Sequence, residues 1–244
     1  MDEERERSIP DNLEHVRGRI RAACERAGRK AEDVTLIAVS KKKPFADILE
    51  AGAAGVTQFG ENYVQELMQK IEEAGNSREA GQFRWHMIGH LQKNKVKYLI
   101  GQVALIHSVD TVSLAEQIEK EAAKADQTVR ILLEVNIAGE ESKWGFTPEE
   151  VVPAARSISA LPHIRTLGLM TSAPETEDPE TNRKYFRNLN ALAKELAAEG
   201  LISVSDPEFR GPVLSMGMTG DYEVAVEEGA TMIRVGTAIF GKRN

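Results

Sequence analysis

Eight short apolar segments alternate with amphipathic segments along this chain of 244 residues. Short apolar runs bounded by polar residues predict buried strands of a parallel sheet, and the segments between them are long enough for helices. This alternation favours a (β/α)8 barrel over the alternative, an open doubly wound sheet. No linker rich in Pro, Gly or Ser divides the chain, so we expect one domain over residues 1–244.

The predicted strands start with the stretch 34–44, whose apolar part ends at Ser40, and continue with 56–59, 83–87, 103–107, 129–137, 163–169, 213–216 and 231–235. Predicted helices cover 10–29, 44–54, 63–73, 93–100, 111–125, a segment that begins at Thr147, a long segment that ends at Ala198, and 221–228. The segment 203–212 has little periodicity and two prolines, which predicts an extended loop.

The first predicted strand runs directly into three lysines, Lys41, Lys42 and Lys43. Ligands of α/β folds bind at the carboxyl ends of parallel strands, which is where Lys41 is expected. Repulsion between adjacent ammonium groups favours the neutral amine, which is the form that condenses with an aldehyde. The alternative interpretation is a solvated loop, and this stretch alone leaves both open.

Glycine-containing turns follow the last two predicted strands. Ser215 and Gly217 lie after the seventh strand, and Gly236 and Thr237 lie after the eighth. Glycine lets backbone amides approach an anion closely, and the loops after strands seven and eight are the recurrent phosphate site of barrels. Because barrel closure places strand one beside strand eight, Lys41 is expected within reach of a phosphate-anchored ligand.

A lysine beside a phosphate site suggests pyridoxal 5'-phosphate (PLP), whose aldehyde condenses with a lysine amine. Arg234 interrupts the apolar eighth strand just before the glycine turn. A guanidinium donates hydrogen bonds and does not accept them, so an inward-pointing Arg234 would leave the pyridine nitrogen unprotonated. The cofactor would then be a poor electron sink, which disfavours transaminase-type chemistry.

Several long segments resemble the pyridoxal phosphate homeostasis protein family: AVSKKKP (38–44), FGENYVQE (59–66), WHMIGHLQKNK (85–95), LSMGMTGDYEVAVEEGAT (214–231) and IRVGTAIFG (233–241). The resemblance covers nearly the whole chain in the right order. It implies a barrel like the amino-terminal domain of alanine racemase, with PLP held as a Schiff base on Lys41. It also implies phosphate contacts from the segments of Ser215, Gly217, Gly236 and Thr237, and an arginine, Arg234, near the pyridine nitrogen. Asn62 and His90 match motif positions close to the cofactor.

The resemblance implies a protein that takes part in intracellular PLP homeostasis without catalytic turnover and has PLP-dependent apoenzymes as potential partners. The alternative is a PLP-dependent amino-acid racemase, which needs an acid/base group on each face of the bound substrate. In alanine racemases the opposing tyrosine comes from a separate carboxyl-terminal domain, and we expect this chain to lack that domain because few residues follow its eighth predicted strand. The tyrosines of this chain are predicted to pack on helices: Tyr63, Tyr98, Tyr185 and Tyr222.

Composition restricts the other classes of function. A formal net charge of −7 with interspersed signs argues against a nucleic-acid-binding or membrane-surface protein, and a single cysteine, Cys24, excludes an intramolecular disulfide. The charged start MDEERERSIP lacks the apolar core of a signal peptide, so we expect a cytoplasmic protein, and a monomer. A metal-dependent hydrolase is a third hypothesis, but no HxH or HExxH spacing links the candidate histidines, so no metal site is predicted. These are His86, His90, His107 and His163.

Overall fold

The computed structural model describes residues 8–241 and forms a closed barrel of parallel strands. Neighbours in the sequence pair in order, and the first strand closes the barrel by pairing with the eighth, with Ile37 opposite Arg234 and Ala38 opposite Val235. The strands of the described chain are β1 (Thr35–Val39), β2 (Gln58–Glu61), β3 (Arg84–Met87), β4 (Leu105–Val109), β5 (Val129–Glu134), β6 (Ile164–Met170), β7 (Val213–Ser215) and β8 (Met232–Val235). The predicted (β/α)8 barrel is therefore confirmed, and the doubly wound alternative is wrong.

Helices follow the strands on the outside of the barrel, as the amphipathic segments predicted. They are α1 (Ile9–Arg26), α2 (Phe45–Ala53), α3 (Val64–Gly75), α4 (Val112–Lys124), α5 (Pro148–Ser159), α6 (Arg183–Ala198), α7 (Tyr222–Glu227) and α8 (Thr237–Phe240). The start of α5 is fixed by a capping box, in which Thr147 and Glu150 satisfy each other's backbone N–H groups. The helix predicted at 93–100 is instead a 3₁₀ helix, Lys93–Tyr98, and α8 was not predicted.

Apolar side chains form two layers. The larger cluster fills the space between the sheet and the helices, and the smaller one fills the barrel interior. The interior cluster consists of Ile37, Leu105, Leu132, Leu167, Met170, Phe209, Val213 and Met232. This arrangement leaves the carboxyl ends of the strands for polar side chains.

The predicted loop 203–212 closes the opposite, amino-terminal end of the barrel. Its Asp206 accepts from Arg130 at 3.0 Å and pairs with Arg165 at 3.3 Å, two arginines on neighbouring strands β5 and β6. Phe209 of the same loop is buried and lies against His86, with ring centroids 6.2 Å apart. The loop thus forms the floor of the barrel.

Among residues 8–241, none of the helices is long and apolar enough to cross a membrane.

Candidate functional site

A cavity of about 510 Å³ lies at the carboxyl ends of the strands. Five of the residues predicted from the sequence line it: Lys41, Asn62, Arg234, Gly236 and Thr237. The other lining residues are Val39, Lys43, Ile88, Ser172, Pro174, Glu175, Thr176, Asn182, Met218, Thr219, Gly220, Asp221 and Gly241.

Lys41 lies in a tight turn that immediately follows β1. The backbone N–H of Ser40 continues the sheet by donating to Gly60 at 3.1 Å, and Lys43 N–H closes the turn on the Ser40 carbonyl at 3.0 Å. Lys42 adopts a left-handed conformation with φ of 60°, and its backbone N–H donates to the Glu66 carboxylate at 2.5 Å. The turn is therefore held at the residues on both sides of Lys41.

A buried ion cluster lies behind this turn. The Lys70 ammonium has three hydrogens and donates to three oxygens, each at 2.7 Å: the Ser40 carbonyl, Glu61 Oε1 and Glu66 Oε1. The Ser40 hydroxyl also donates to Glu61 Oε1, at 2.6 Å. Burial raises the pKa of Glu61, while the hydrogen bonds from Lys70 and Ser40 act in the opposite direction. The cluster links α3 and β2 to the segment that carries Lys41.

Arg234 reaches the cavity from the barrel interior and is almost fully buried. Its Nη1 donates to Ser215 Oγ at 2.7 Å, and its Nη2 donates to the Thr171 carbonyl at 2.8 Å and to Ser172 Oγ at 3.4 Å. Burial lowers the pKa of Arg234 to about 10, opposed by the negative charges of Glu134 and Asp221. The guanidinium is still charged at neutral pH and is held by uncharged acceptors.

The turn after β7 differs from the expectation in its details. Ser215 and Gly217 do not line the cavity: the Ser215 side chain is fully buried beneath Arg234, and the Gly217 carbonyl accepts from the backbone N–H of Arg234 at 3.0 Å. The next residues, Met218, Thr219 and Gly220, line it instead. Sequence analysis identified this glycine-containing segment and did not resolve which of its residues face the cavity.

Asp221 orders that segment. Its Oδ1 accepts from the backbone N–H of Met218 at 2.7 Å, and its Oδ2 accepts from the buried Asn182 side chain at 2.9 Å. Asn182 also donates to the Pro174 carbonyl at 2.9 Å. These contacts link the loop after β6 to the loop after β7, and no local sequence pattern predicted them.

Gly236 and Thr237 lie where β8 turns into α8. A Cβ atom on Gly236 would lie 3.2 Å from the Val39 carbonyl oxygen, so glycine permits the close approach of this turn to β1. Lys41 and this turn line the same cavity, as expected from the closure of the barrel.

His90 lies outside the cavity lining. Its Nδ1 is 3.0 Å from Asp110 Oδ2, and its ring stacks on Trp144 with centroids 4.0 Å apart. Asn62 does line the cavity. Its backbone lies close to Gly89, because a Cβ atom on Gly89 would be 2.5 Å from the Asn62 carbonyl oxygen.

The tyrosines, which were predicted to pack on helices, do not line the cavity. Tyr222 is buried as predicted, whereas Tyr63 and Tyr98 are exposed, because each lies at the end of a helix rather than on its inner face. Cys24 is buried in the outer core. Within the described residues, no three His, Cys, Asp or Glu side chains are grouped so that they could bind a metal ion.

Glu134, at the end of β5, is a titratable group that sequence analysis missed. Burial and the nearby Asp110 raise the pKa of Glu134 to about 7, and Arg234 opposes this shift. A glutamate at the end of an apolar strand has no sequence signal that distinguishes it from a solvated one.

Comparisons with known proteins agree with this geometry. Residues 12–244 match the family model for the amino-terminal domain of alanine racemase. The pyridoxal phosphate homeostasis protein of Aquifex aeolicus is 44% identical over 233 residues, which are 96% of this chain and 97% of the relative. The chain belongs to the pyridoxal phosphate homeostasis protein family.

Solved structures of other proteins have the same fold as this family member. PipY of Synechococcus elongatus, a structure with PLP bound, is 33% identical with a TM-score of 0.80, over 96% of this chain and 100% of that one. An alanine racemase of Clostridium difficile is 15% identical with a TM-score of 0.71, over 96% of this chain and 60% of that one, which supports the shared fold alone.

Proposed function

We propose that this chain binds PLP in the cavity described above, holds it as a Schiff base on Lys41, and takes part in PLP homeostasis without catalytic turnover. The proposal treats residues 1–244 as one PLP-binding domain. The observation that carries it is that Lys41, in the turn after β1, and Arg234, in the paired strand β8, line one cavity beside the turn at Gly236.

The donor set fits PLP. When bound, PLP supplies an aldehyde that condenses with a lysine amine. Lys41 lies at the cavity end of β1, and Arg234 offers a guanidinium that can only donate to a pyridine nitrogen. A guanidinium held by three uncharged oxygen acceptors keeps its charge and its orientation, so it would bind the unprotonated nitrogen.

The phosphate is proposed to bind between the turns after β7 and β8. Gly236 and Thr237 line one side of this region, and Met218, Thr219 and Gly220 line the other. A Cβ atom on Gly220 would meet no atom within 4 Å, which leaves space for a ligand. Ser215 and Gly217 would contribute indirectly, since they hold Arg234. Asn62 would contact the ring from the side of β2, and His90 would act from outside the cavity wall.

The absence of turnover is supported by what lines the cavity. Racemisation needs an acid/base group on each face of the bound substrate. Among the described residues that line the cavity there is no Tyr, His or Cys, and the titratable groups other than Lys41 and Arg234 are Lys43, Glu175 and Asp221. Lys43 donates to the Phe240 carbonyl, Asp221 accepts from Met218 N–H and Asn182, and Glu175 is exposed, so none of the three is held ready to act opposite Lys41. The proposed role is reversible storage of a reactive aldehyde, with PLP-dependent apoenzymes as recipients and a monomer as the working form.

The test is an absorbance titration of the protein with PLP. Wild type is expected to develop an imine band that Lys41→Ala lacks. Lys42→Asn is the matched control, because asparagine tolerates the left-handed conformation of this exposed neighbour, and it should retain the band. A wild type without an imine band would overturn the Schiff base.

Turnover is tested separately. The PLP-loaded protein is incubated with L-alanine or D-alanine, and the enantiomers are separated by chiral chromatography. The proposal predicts no interconversion above that given by Lys41→Ala. Interconversion that depends on Lys41 would establish the racemase alternative.

A further inference from the structure

Five polar side chains form a continuous hydrogen-bonded chain through the barrel interior, from β2 to Arg234. Gln58 Oε1 is 2.8 Å from His86 Nε2, and His86 Nδ1 is 2.9 Å from His107 Nε2. His107 Nδ1 is 2.9 Å from Ser215 Oγ, which accepts from Arg234 Nη1 at 2.7 Å. The chain thus connects Gln58, a half-buried residue at the amino-terminal end of β2, to the guanidinium that lines the cavity.

With Gln58 Oε1 as the acceptor at one end and Arg234 as the donor at the other, a single direction of hydrogen bonding satisfies every bond with both imidazoles neutral. Arg234 can only donate, so the Ser215 oxygen accepts from it and the Ser215 hydroxyl hydrogen is available for Nδ1 of His107. His107 then carries its proton on Nε2 and donates to Nδ1 of His86. His86 in turn donates from its own Nε2 to Gln58 Oε1, and a carbonyl oxygen ends the chain because it only accepts.

The surroundings of the two imidazoles agree with this assignment. His86 and His107 are fully buried. A further proton on His86 Nδ1 would face the Nε2–H group of His107, and a further proton on His107 Nδ1 would face the Ser215 hydroxyl hydrogen. Burial, with a contribution from Arg84, lowers the pKa of His86 to about 3. Burial, together with His86 and Arg234, holds the pKa of His107 well below its usual range. Both rings are therefore uncharged at neutral pH.

We propose that His86, His107 and Ser215 are positioning residues that orient Arg234 toward the cavity, with both imidazoles neutral and protonated on Nε2. Since the Ser215 hydrogen is committed to His107, the Ser215 oxygen presents only lone pairs to Arg234. Within residues 8–241, the hydrogen-bond acceptors of the guanidinium are two hydroxyls and a carbonyl and none is a carboxylate, so no ion pair at hydrogen-bond distance competes with a ligand. This inference rests on the proposed function only where it concerns PLP.

The first test is NMR of protein labelled with 15N-histidine, without PLP. Long-range 15N correlation spectra distinguish the two neutral tautomers and the charged ring. His86→Gln and His107→Gln assign the two buried rings among the five histidines. We expect both to show the neutral Nε2–H pattern unchanged from pH 8 to pH 6. A neutral Nδ1–H pattern, or a charged ring in either, would overturn the proposed direction.

The second test breaks the chain and measures the cofactor. In Ser215→Ala we expect PLP to bind about tenfold more weakly, because the guanidinium loses a fixed acceptor, and the absorbance maximum of bound PLP to shift. Ser215→Thr keeps the hydroxyl and should restore both values toward those of wild type. His163→Gln, outside the barrel and paired with Glu119, is the control and should leave both unchanged.

These outcomes separate the two proposals. If wild type fails to bind PLP, the proposed function fails, and the NMR result still decides the direction of the chain. If wild type binds PLP and a folded Ser215→Ala gives the same affinity and the same spectrum, the positioning role is wrong. If Ser215→Ala does not fold, His107→Phe, which removes the acceptor for the Ser215 hydroxyl, takes its place with the same expected weakening and shift.

Discussion

The Lys70 ammonium donates a hydrogen bond to the Ser40 carbonyl at 2.7 Å, one residue before the lysine that is proposed to bind PLP. Lys70 is buried and lies 30 residues after Ser40 in the sequence. Its other two hydrogens go to the carboxylates of Glu61 and Glu66. A completely satisfied ammonium group therefore fixes the backbone at the start of the Lys41 turn.

Replacing Lys70 by methionine should be strongly destabilising. Glu61 is fully buried, and among the described residues its Oε2 has no hydrogen-bond partner, so loss of Lys70 would leave its charge uncompensated. We expect a loss of about 3–5 kcal/mol in the free energy of unfolding, measured by urea denaturation. Lys120→Met on the exposed side of α4 should change it by less than about 0.5 kcal/mol.

The double variant Lys70→Met with Glu61→Gln separates charge from packing. Because the second substitution removes the buried carboxylate, it should recover part of the lost stability. A single Lys70→Met variant as stable as wild type would contradict the structural role assigned to this cluster.

Glu134 should make stability depend on pH near neutrality. Its pKa in the folded protein is about 7 against an ordinary value of 4.5, so the folded state binds the additional proton between these values. The contribution of Glu134 is full below pH 4.5 and is lost as the pH rises to about 7. Glu134→Gln removes this loss, so the stability of the variant relative to wild type should increase by about 3 kcal/mol between pH 4.5 and pH 7.5.

Urea denaturation of both proteins at four pH values across this range measures that difference. Glu141→Gln, at an exposed position, serves as the control variant. A Glu134→Gln curve parallel to that of wild type would show that Glu134 titrates normally in the folded protein.

Two glycines of the turn after β7 should respond differently to alanine. Gly217 has φ of 92°, and a Cβ atom there would lie 2.6 Å from Ala225 Cβ and 2.9 Å from Tyr222 Cα. Gly217→Ala should therefore cost about 3 kcal/mol. Gly220→Ala meets no atom within 4 Å and should change stability by less than about 0.5 kcal/mol. Thermal unfolding of the two variants makes the comparison, and equal losses would contradict the described packing of this turn.

Periodicity and strand ends predicted most of the fold. All eight strands lie at or within a few residues of their predicted positions, because buried parallel strands are continuous apolar runs with polar residues after them. The helix predicted at 93–100 was wrong in type, and the four-residue α8 is too short for any periodic signal.

The sequence predicted where the candidate site lies, but it did not predict most of the contacts that hold the site residues in place. Lys41, Arg234, Gly236 and Thr237 follow from strand ends and glycine turns, and the structure brings them to one cavity. The partners of these residues come from distant parts of the sequence: Ser215 meets His107 across 108 residues. A polar residue that alternates with apolar ones in a strand gives the same sequence pattern whether its side chain faces the barrel interior or solvent.

Borohydride reduction followed by peptide mapping tests whether Lys41 is the lysine that forms the Schiff base with PLP. The protein is incubated with one equivalent of PLP, reduced, digested and analysed by mass spectrometry, which identifies the lysine that carries the cofactor. We expect the reduced pyridoxyl adduct on Lys41 in wild type and its loss in Lys41→Ala. A stoichiometric adduct on another lysine, with Lys41 unmodified, would contradict it.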